Sequence, residues 1–220
     1  MCTWLLKSAV IVVVLFGVLS ADKSVHARTS FDVKRDGFSI SNAPGYCFAM
    51  AAFSRWYYLN NKGNPPLRSA LSRRIQRKIA KTLQNFYSSQ LVGIQAKYCN
   101  QCSSDPTESF RRFIIGLMMG EPRIVLLMNR SSRGVVLHAV LAYQWMPEQK
   151  LIKIYDPNYQ NDERYIDLEN RQYTSLDITY NAICFPEVLD ENPALIRKME
   201  SLYYIHVARN AHSRRRAQSY

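Results

Sequence analysis

The pattern of apolar and polar positions divides the chain into a helical first half and a strand-rich second half. Residues 47–59 (CFAMAAFSRWYYL) carry apolar side chains on all sides with few breakers, which predicts a buried helix. The stretch NNKGNPP at 60–66 stops it. Over 67–87 the apolar positions narrow to one stripe of Leu67, Leu71, Ile75, Ile79, Leu83 and Phe86, which predicts an amphipathic helix. Asp105-Pro106-Thr107-Glu108 combines an N-cap, proline at the first helical position and glutamate at the third, opening a third helix that Gly120 closes. After Pro122 the character becomes β, with expected strands at 124–128, 135–145, 151–156, 165–168 and 178–185. Residues 28–46 read as extended and loop-like, and 193–204 as a closing helix. Helices first and an antiparallel sheet second predict an α+β fold.

The ends of the chain change the picture of where it works. Lys7 precedes a 13-residue apolar run, 8–20, which is short for a membrane span of roughly 20 residues but suits a signal h-region. Cleavage after Ala21 or after Ala27 satisfies the small-residue rule, and an uncleaved signal anchor is the alternative. The expected organisation is a signal peptide over 1–27, one domain over 28–210 and a basic tail over 211–220. Removing 1–27 takes away Lys7, Lys23 and Asp22 and leaves a net charge of +11 in place of +12. Such a surplus favours anionic partners. Export makes a Cys99–Cys102 disulfide reasonable, with unpaired thiols or metal or redox chemistry as alternatives. His26, His206 and His212 add no zinc-binding pattern, and neither a metal nor another cofactor is expected.

Candidate chemistry centres on Cys47, His138 and Asp156. A strand turn centred on Pro147 would pair residues whose numbers sum to 294, placing His138 and Asp156 on one rung and one face. Val140, Ala142, Ile152 and Ile154 share that face, so a His–Asp pair buried there must satisfy itself. Cys47 follows Pro44-Gly45 and opens a helix, where unsatisfied N–H groups and the helix dipole favour a thiolate. The dipole supplies only about 0.3–1 kcal/mol, so an imidazolium must do most of the lowering. Packing the helix N-terminus against the His138 face would provide it, with Asp156 orienting the imidazole.

Three boxes carry a family likeness: Asn42…Gly45-Tyr46-Cys47-Phe48-Ala49-Met50, His138-Ala139-Val140 and Tyr155-Asp156-Pro157-Asn158-Tyr159. Together they resemble the Cys, His and Asp boxes of papain-like cysteine peptidases, closest to bacterial groups of the YopT-like kind. The likeness spans roughly 38–168. It implies a papain-like fold, with the N-terminal helices packed on a C-terminal antiparallel sheet. It also implies amide-bond hydrolysis at a Cys47-His138-Asp156 triad, and an oxyanion hole formed by Asn42 and the Cys47 backbone N–H. The 91 residues from Cys47 to His138 are fewer than the roughly 130–150 of papain and the cathepsins, which makes this a compact relative.

The expected partner is a protein or peptide substrate. Arg73, Arg74, Arg77, Lys78 and Lys81 lie off the apolar stripe of helix 67–87 and form either a solvated face or a docking surface for an anionic membrane or substrate. Aromatic residues are not interleaved with these cations, which argues against a nucleic-acid platform. The same triad serves a transglutaminase or deamidase, and a non-catalytic binding protein of this fold is the other alternative.

Overall fold

The computed structural model describes residues 31–43, 45–60, 65–91, 93, 106–131, 134–186 and 192–208. The expected signal peptide, the Cys99–Cys102 pair and the 211–220 tail lie outside the described residues. Within them the architecture is α+β, as the alternation of patterns predicts.

Helix α1 (Val33–Asp36) is a single turn in a segment expected to be extended. Asp32 explains it, because its carboxylate accepts from the Lys34 and Arg35 N–H groups and caps the turn. Helix α2 (Cys47–Asn60) is buried without interruption from Phe48 to Ser54, matching its all-round apolar sequence. The helix expected over 67–87 is two: α3 (Leu67–Ala70) and α4 (Arg73–Gln90). Leu71 is extended, and Ser72 restarts the helix by accepting from the Ile75 N–H, so the sequence carried an internal cap that the apolar stripe concealed. Arg73, Arg74, Arg77, Lys78 and Lys81 are all exposed on α4. Helix α5 spans Pro106–Met118, and α6 (Pro193–Tyr203) starts from an Asn192 cap and runs into a π-helical turn, Tyr204–Ala208.

The strands are β1 (Arg123–Ser131), β2 (Gly134–Met146), β3 (Leu151–Tyr155), β4 (Arg164–Asp167), β5 (Tyr173–Ser175), β6 (Ile178–Tyr180) and β7 (Ala182–Cys184). Five form an antiparallel sheet in the order β4-β3-β2-β1-β7, while β5 and β6 pair as a separate hairpin. The strand expected over 178–185 is therefore two strands broken at Asn181, whose N–H turns to the Met128 carbonyl.

Each face of the sheet has its own apolar cluster. Ala139, Leu141, Tyr143, Ile124 and Leu126 meet α2, α4 and α6 in the larger one. Val140, Ala142, Val125, Leu127, Ile152 and Ile154 meet α5 and the β5–β6 hairpin on the other side. Helices thus cover both faces, α2, α4 and α6 on one and α5 on the other.

Register settles how the β2–β3 hairpin presents its ends. Leu141 pairs with Tyr155 and Ala142 with Ile154, then a bulge at Tyr143 shifts the remainder, Gln144 with Lys153 through Met146 with Leu151. The expected sum of 294 is corrected to 296 near the site. A shift of two keeps each side chain on its face, so His138 still shares the face of Val140, Ala142 and Ile154.

Candidate active site

The site forms where the β3 side of β2 loses its partner. Pairing ends at Leu141–Tyr155, so the β2 edge at Ala139 is open to another group. Cys47 takes that position, and its Sγ accepts from the Ala139 N–H. Gly45, with φ +90, lets the chain turn into α2, and the Asn42 carbonyl accepts from the Gly45 and Tyr46 N–H groups. Two donors at the helix start find side-chain partners: Phe48 N–H turns to the Cys47 Sγ, and Ala49 N–H donates to Gln84 Oε1 of α4.

His138 hydrogen-bonds the Cys47 thiol on one side and Asp156 on the other. Its Nε2–H donates to Asp156 Oδ1 at 2.8 Å, which leaves Nδ1 for the sulfur. The helix N-terminus was expected against the His138 face, and its first residue, Cys47, reaches the imidazole although the body of the helix does not lie on that face. α2 lies on the Ala139–Leu141 face, and the thiol meets the imidazole around the open strand edge.

Asp156 is completely buried and His138 is 4% exposed. A carboxylate in that setting requires donors on every side. Oδ1 accepts from the His138 Nε2–H and from the Asn158 backbone N–H, the latter at 2.8 Å. Oδ2 accepts from the Tyr173 hydroxyl at 2.7 Å and the Ser175 hydroxyl at 2.8 Å. The Asn158 side chain extends the network, donating to Ser175 Oγ at 2.9 Å. Asn42 joins through its Nδ2–H, which donates to Asn158 Oδ1 at 2.7 Å, while its own Oδ1 is buried without a partner. The Tyr180 ring stacks on His138 with centroids 5.7 Å apart.

The charges follow from these contacts. Burial pushes the Cys47 thiol up, but hydrogen bonding to His138, its positive charge, and the Ala139 and Phe48 N–H groups outweigh burial and leave the thiol below its ordinary 9.0. Burial lowers His138, yet the bonds to Asp156 and Cys47 win and raise it to about 9. Burial likewise works against the Asp156 carboxylate, and the His138, Tyr173 and Asn158 donors hold it below the usual 3.8. All three directions favour the charged forms: thiolate, imidazolium and carboxylate. Such a set can attack a carbonyl carbon and protonate a leaving nitrogen.

The structure brings Cys47, His138, Asp156 and Asn42 together in one network. Cys184 is a buried thiol of β7, paired opposite Leu126 in the sheet. Tyr173, Ser175 and Tyr180 escaped the sequence reading because their hairpin turns through Leu176 and Asp177, with φ +47 and +63, instead of the Asn-Gly that such a turn favours. Alternation of Tyr173 with Ser175 was the available signal. A depression of about 330 Å³ is lined by Tyr173 with Glu163, Arg164, Tyr165, Gln172 and Thr174. Among the described residues no three His, Cys, Asp or Glu side chains are arranged to hold a metal ion. No helix among them is long and apolar enough to cross a membrane. No family model, curated protein or solved structure matches the chain.

Proposed function

We propose that the protein is a papain-like cysteine hydrolase that cleaves amide bonds in a protein or peptide. The observation that carries this reading is the continuous contact from the Cys47 thiol through His138 to a fully buried Asp156. A structural role has little to recommend it, because burying the ionisable His138–Asp156 pair costs more than burying apolar side chains of equal size.

In the reaction the Cys47 thiolate attacks the substrate carbonyl and forms a C–S bond. Negative charge develops on the carbonyl oxygen, for which the Cys47 backbone N–H and the second hydrogen of the Asn42 amide are the proposed donors. The His138 imidazolium transfers its proton to the leaving nitrogen as the C–N bond breaks. Neutral His138 then takes a proton from water, whose oxygen attacks the thioester and releases the acid and the thiolate. Asp156 stays ionised and keeps the imidazole turned with Nε2 inward.

Labelling the purified protein with an electrophilic probe for thiol peptidases, followed by mapping of the modified cysteine, tests the assignment. Cys47 should be modified at neutral pH, and His138→Ala should suppress the labelling. Modification of Cys184 with Cys47 untouched would overturn it.

A further inference from the structure

Asp156 is held from two directions, and only one belongs to the strands that carry the triad. The other is the β5–β6 hairpin. Three residues per strand is too little for a two-stranded sheet to stand alone. The hairpin is held instead by its inner face, where Tyr173, Ser175 and Tyr180 are buried. Thr174 and Thr179 point outward and bond each other, Oγ1 to Oγ1 at 3.1 Å. The inner face thus delivers two hydroxyls to Asp156 Oδ2 and one ring to His138. Its outer end is fastened by Tyr159, whose hydroxyl accepts the Leu176 N–H at 3.0 Å, and by Arg164, which reaches Tyr173 and lies 4.3 Å over the Tyr159 ring.

We propose that the β5–β6 hairpin positions the catalytic pair, with Tyr173 and Ser175 fixing the Asp156 carboxylate through Oδ2 and Tyr180 covering the His138 ring. The proposal rests on the hydrolase reading and assigns the surface element that tunes its site. The two hydroxyls satisfy Oδ2 without adding charge. Oδ1 is thereby aimed at Nε2, and the carboxylate is held at a fixed, moderated basicity. Burial and the Asp156 charge push the Tyr173 hydroxyl far up, so it remains a donor throughout the working range.

Removing one hydroxyl makes the carboxylate more basic. A more basic Asp156 holds the His138 imidazolium more tightly, so loss of the imidazolium moves to higher pH. The charged and titratable groups that bear on the pair are Cys47 from α2, Tyr155 from β3, Arg164 from β4, Tyr173 from β5 and Tyr180 from β6. Tyr173→Phe and Ser175→Ala leave every other member of this set in place.

The test is the pH dependence of Cys47 carboxymethylation by iodoacetate in the full chain, since the anionic reagent responds to both thiolate and imidazolium. The wild-type rate should fall along an alkaline limb near 9. Tyr173→Phe and Ser175→Ala should each move that limb to measurably higher pH, by less than the roughly one unit that loss of one hydrogen bond gives the carboxylate itself. Thr174→Ala, on the outer face of the same hairpin, should leave it unmoved. Limbs that stay at the wild-type pH in both folded variants overturn the positioning role alone. A wild-type Cys47 that reacts only above its ordinary 9.0 overturns the hydrolase reading and this inference with it.

Discussion

His138 Nε2 lies 2.8 Å from Asp156 Oδ1 although the two residues are not cross-strand partners. The last pair is Leu141–Tyr155, so Asp156 sits one residue past the end of β3 and continues the register opposite Val140. His138 is then the diagonal neighbour on the same face, a separation that an imidazole can bridge. Leaving the strand frees Asp156 to turn its backbone away while Asn158 N–H caps the carboxylate. The same ending opens the β2 edge to Cys47.

Removing members of the trio should separate their roles. Cys47→Ala and His138→Ala should each abolish turnover of a peptide substrate, with the circular dichroism spectrum unchanged. Asp156→Ala should lower kcat by about 10⁴-fold and leave measurable activity, because Asp156 orients the base and takes no proton. Equal residual activity in all three variants would contradict this division.

The pH profile of hydrolysis should be broad on the alkaline side. His138 is raised to about 9, so the imidazolium persists well above the ordinary 6.5. Cys47 is lowered from 9.0, so the thiolate is present before the imidazolium is lost. The expected kcat/KM rises as the thiolate forms below 9.0 and falls on the alkaline side with a midpoint near 9. A profile centred on 6.5 would show a histidine without its carboxylate.

Stability should respond to acid through Asp156. Its folded pKa lies below 3.8, the ordinary value in an unfolded chain, so the folded state binds fewer protons there. The stabilisation is complete above that ordinary value and is lost as pH falls through the lower folded one. Thermal unfolding followed between pH 7 and pH 2 should show Tm declining over that acid range. Asp156→Asn should remove part of the decline and lower Tm at pH 7. An unchanged slope in the variant would mean that other carboxylates carry the acid sensitivity.

The α+β layout and the face shared by His138, Val140, Ala142 and Ile154 were legible because strand periodicity survives a register error of two. The register itself was not legible. The turn spans 147–150 and centres beyond Pro147, so pairing starts at a sum of 297, and the bulge at Tyr143, which leaves no compositional trace, brings it to 296. Cys47 at the start of a helix was readable from Pro44-Gly45. Which face of the sheet that helix covers was not, because an all-round apolar helix carries no stripe to orient it. The donors to Asp156 Oδ2 come from a hairpin whose turn breaks the usual composition, so only coordinates could supply them.

Asn42 offers a sharper test than its position in the sequence suggests. An oxyanion donor acts only once the carbonyl has been attacked, whereas an anchor for Asn158 acts on the resting site. Asn42→Ala should therefore lower kcat by about 10²-fold while the rate of Cys47 alkylation by a small haloacetamide stays within twofold of wild type. Loss of both together would assign Asn42 to the Asn158 hydrogen bond instead.

The last expectation ties a core contact to the site. Tyr155 immediately precedes Asp156, and its fully buried ring lies against Gly37. A Cβ at residue 37 would stand 2.8 Å from the Val33 carbonyl oxygen and 2.9 Å from the Tyr155 ring. Gly37 has φ −84, so the demand for glycine is one of space and not of backbone conformation. The Tyr155 hydroxyl also accepts the Phe38 N–H at 3.1 Å in a buried setting, so the ring cannot slide away freely. Gly37→Ala should destabilise the fold by about 1–3 kcal/mol through overpacking, read from urea unfolding. Tyr155→Phe relieves no crowding and strands the Phe38 N–H, costing about 1–3 kcal/mol by a different route. Gly37→Ala forces the ring that carries Asp156 to shift, so it should also slow Cys47 alkylation, whereas Tyr155→Phe should leave alkylation near the wild-type rate. Equal alkylation in both variants would mean that the Gly37–Tyr155 contact stabilises the fold without holding the carboxylate in place.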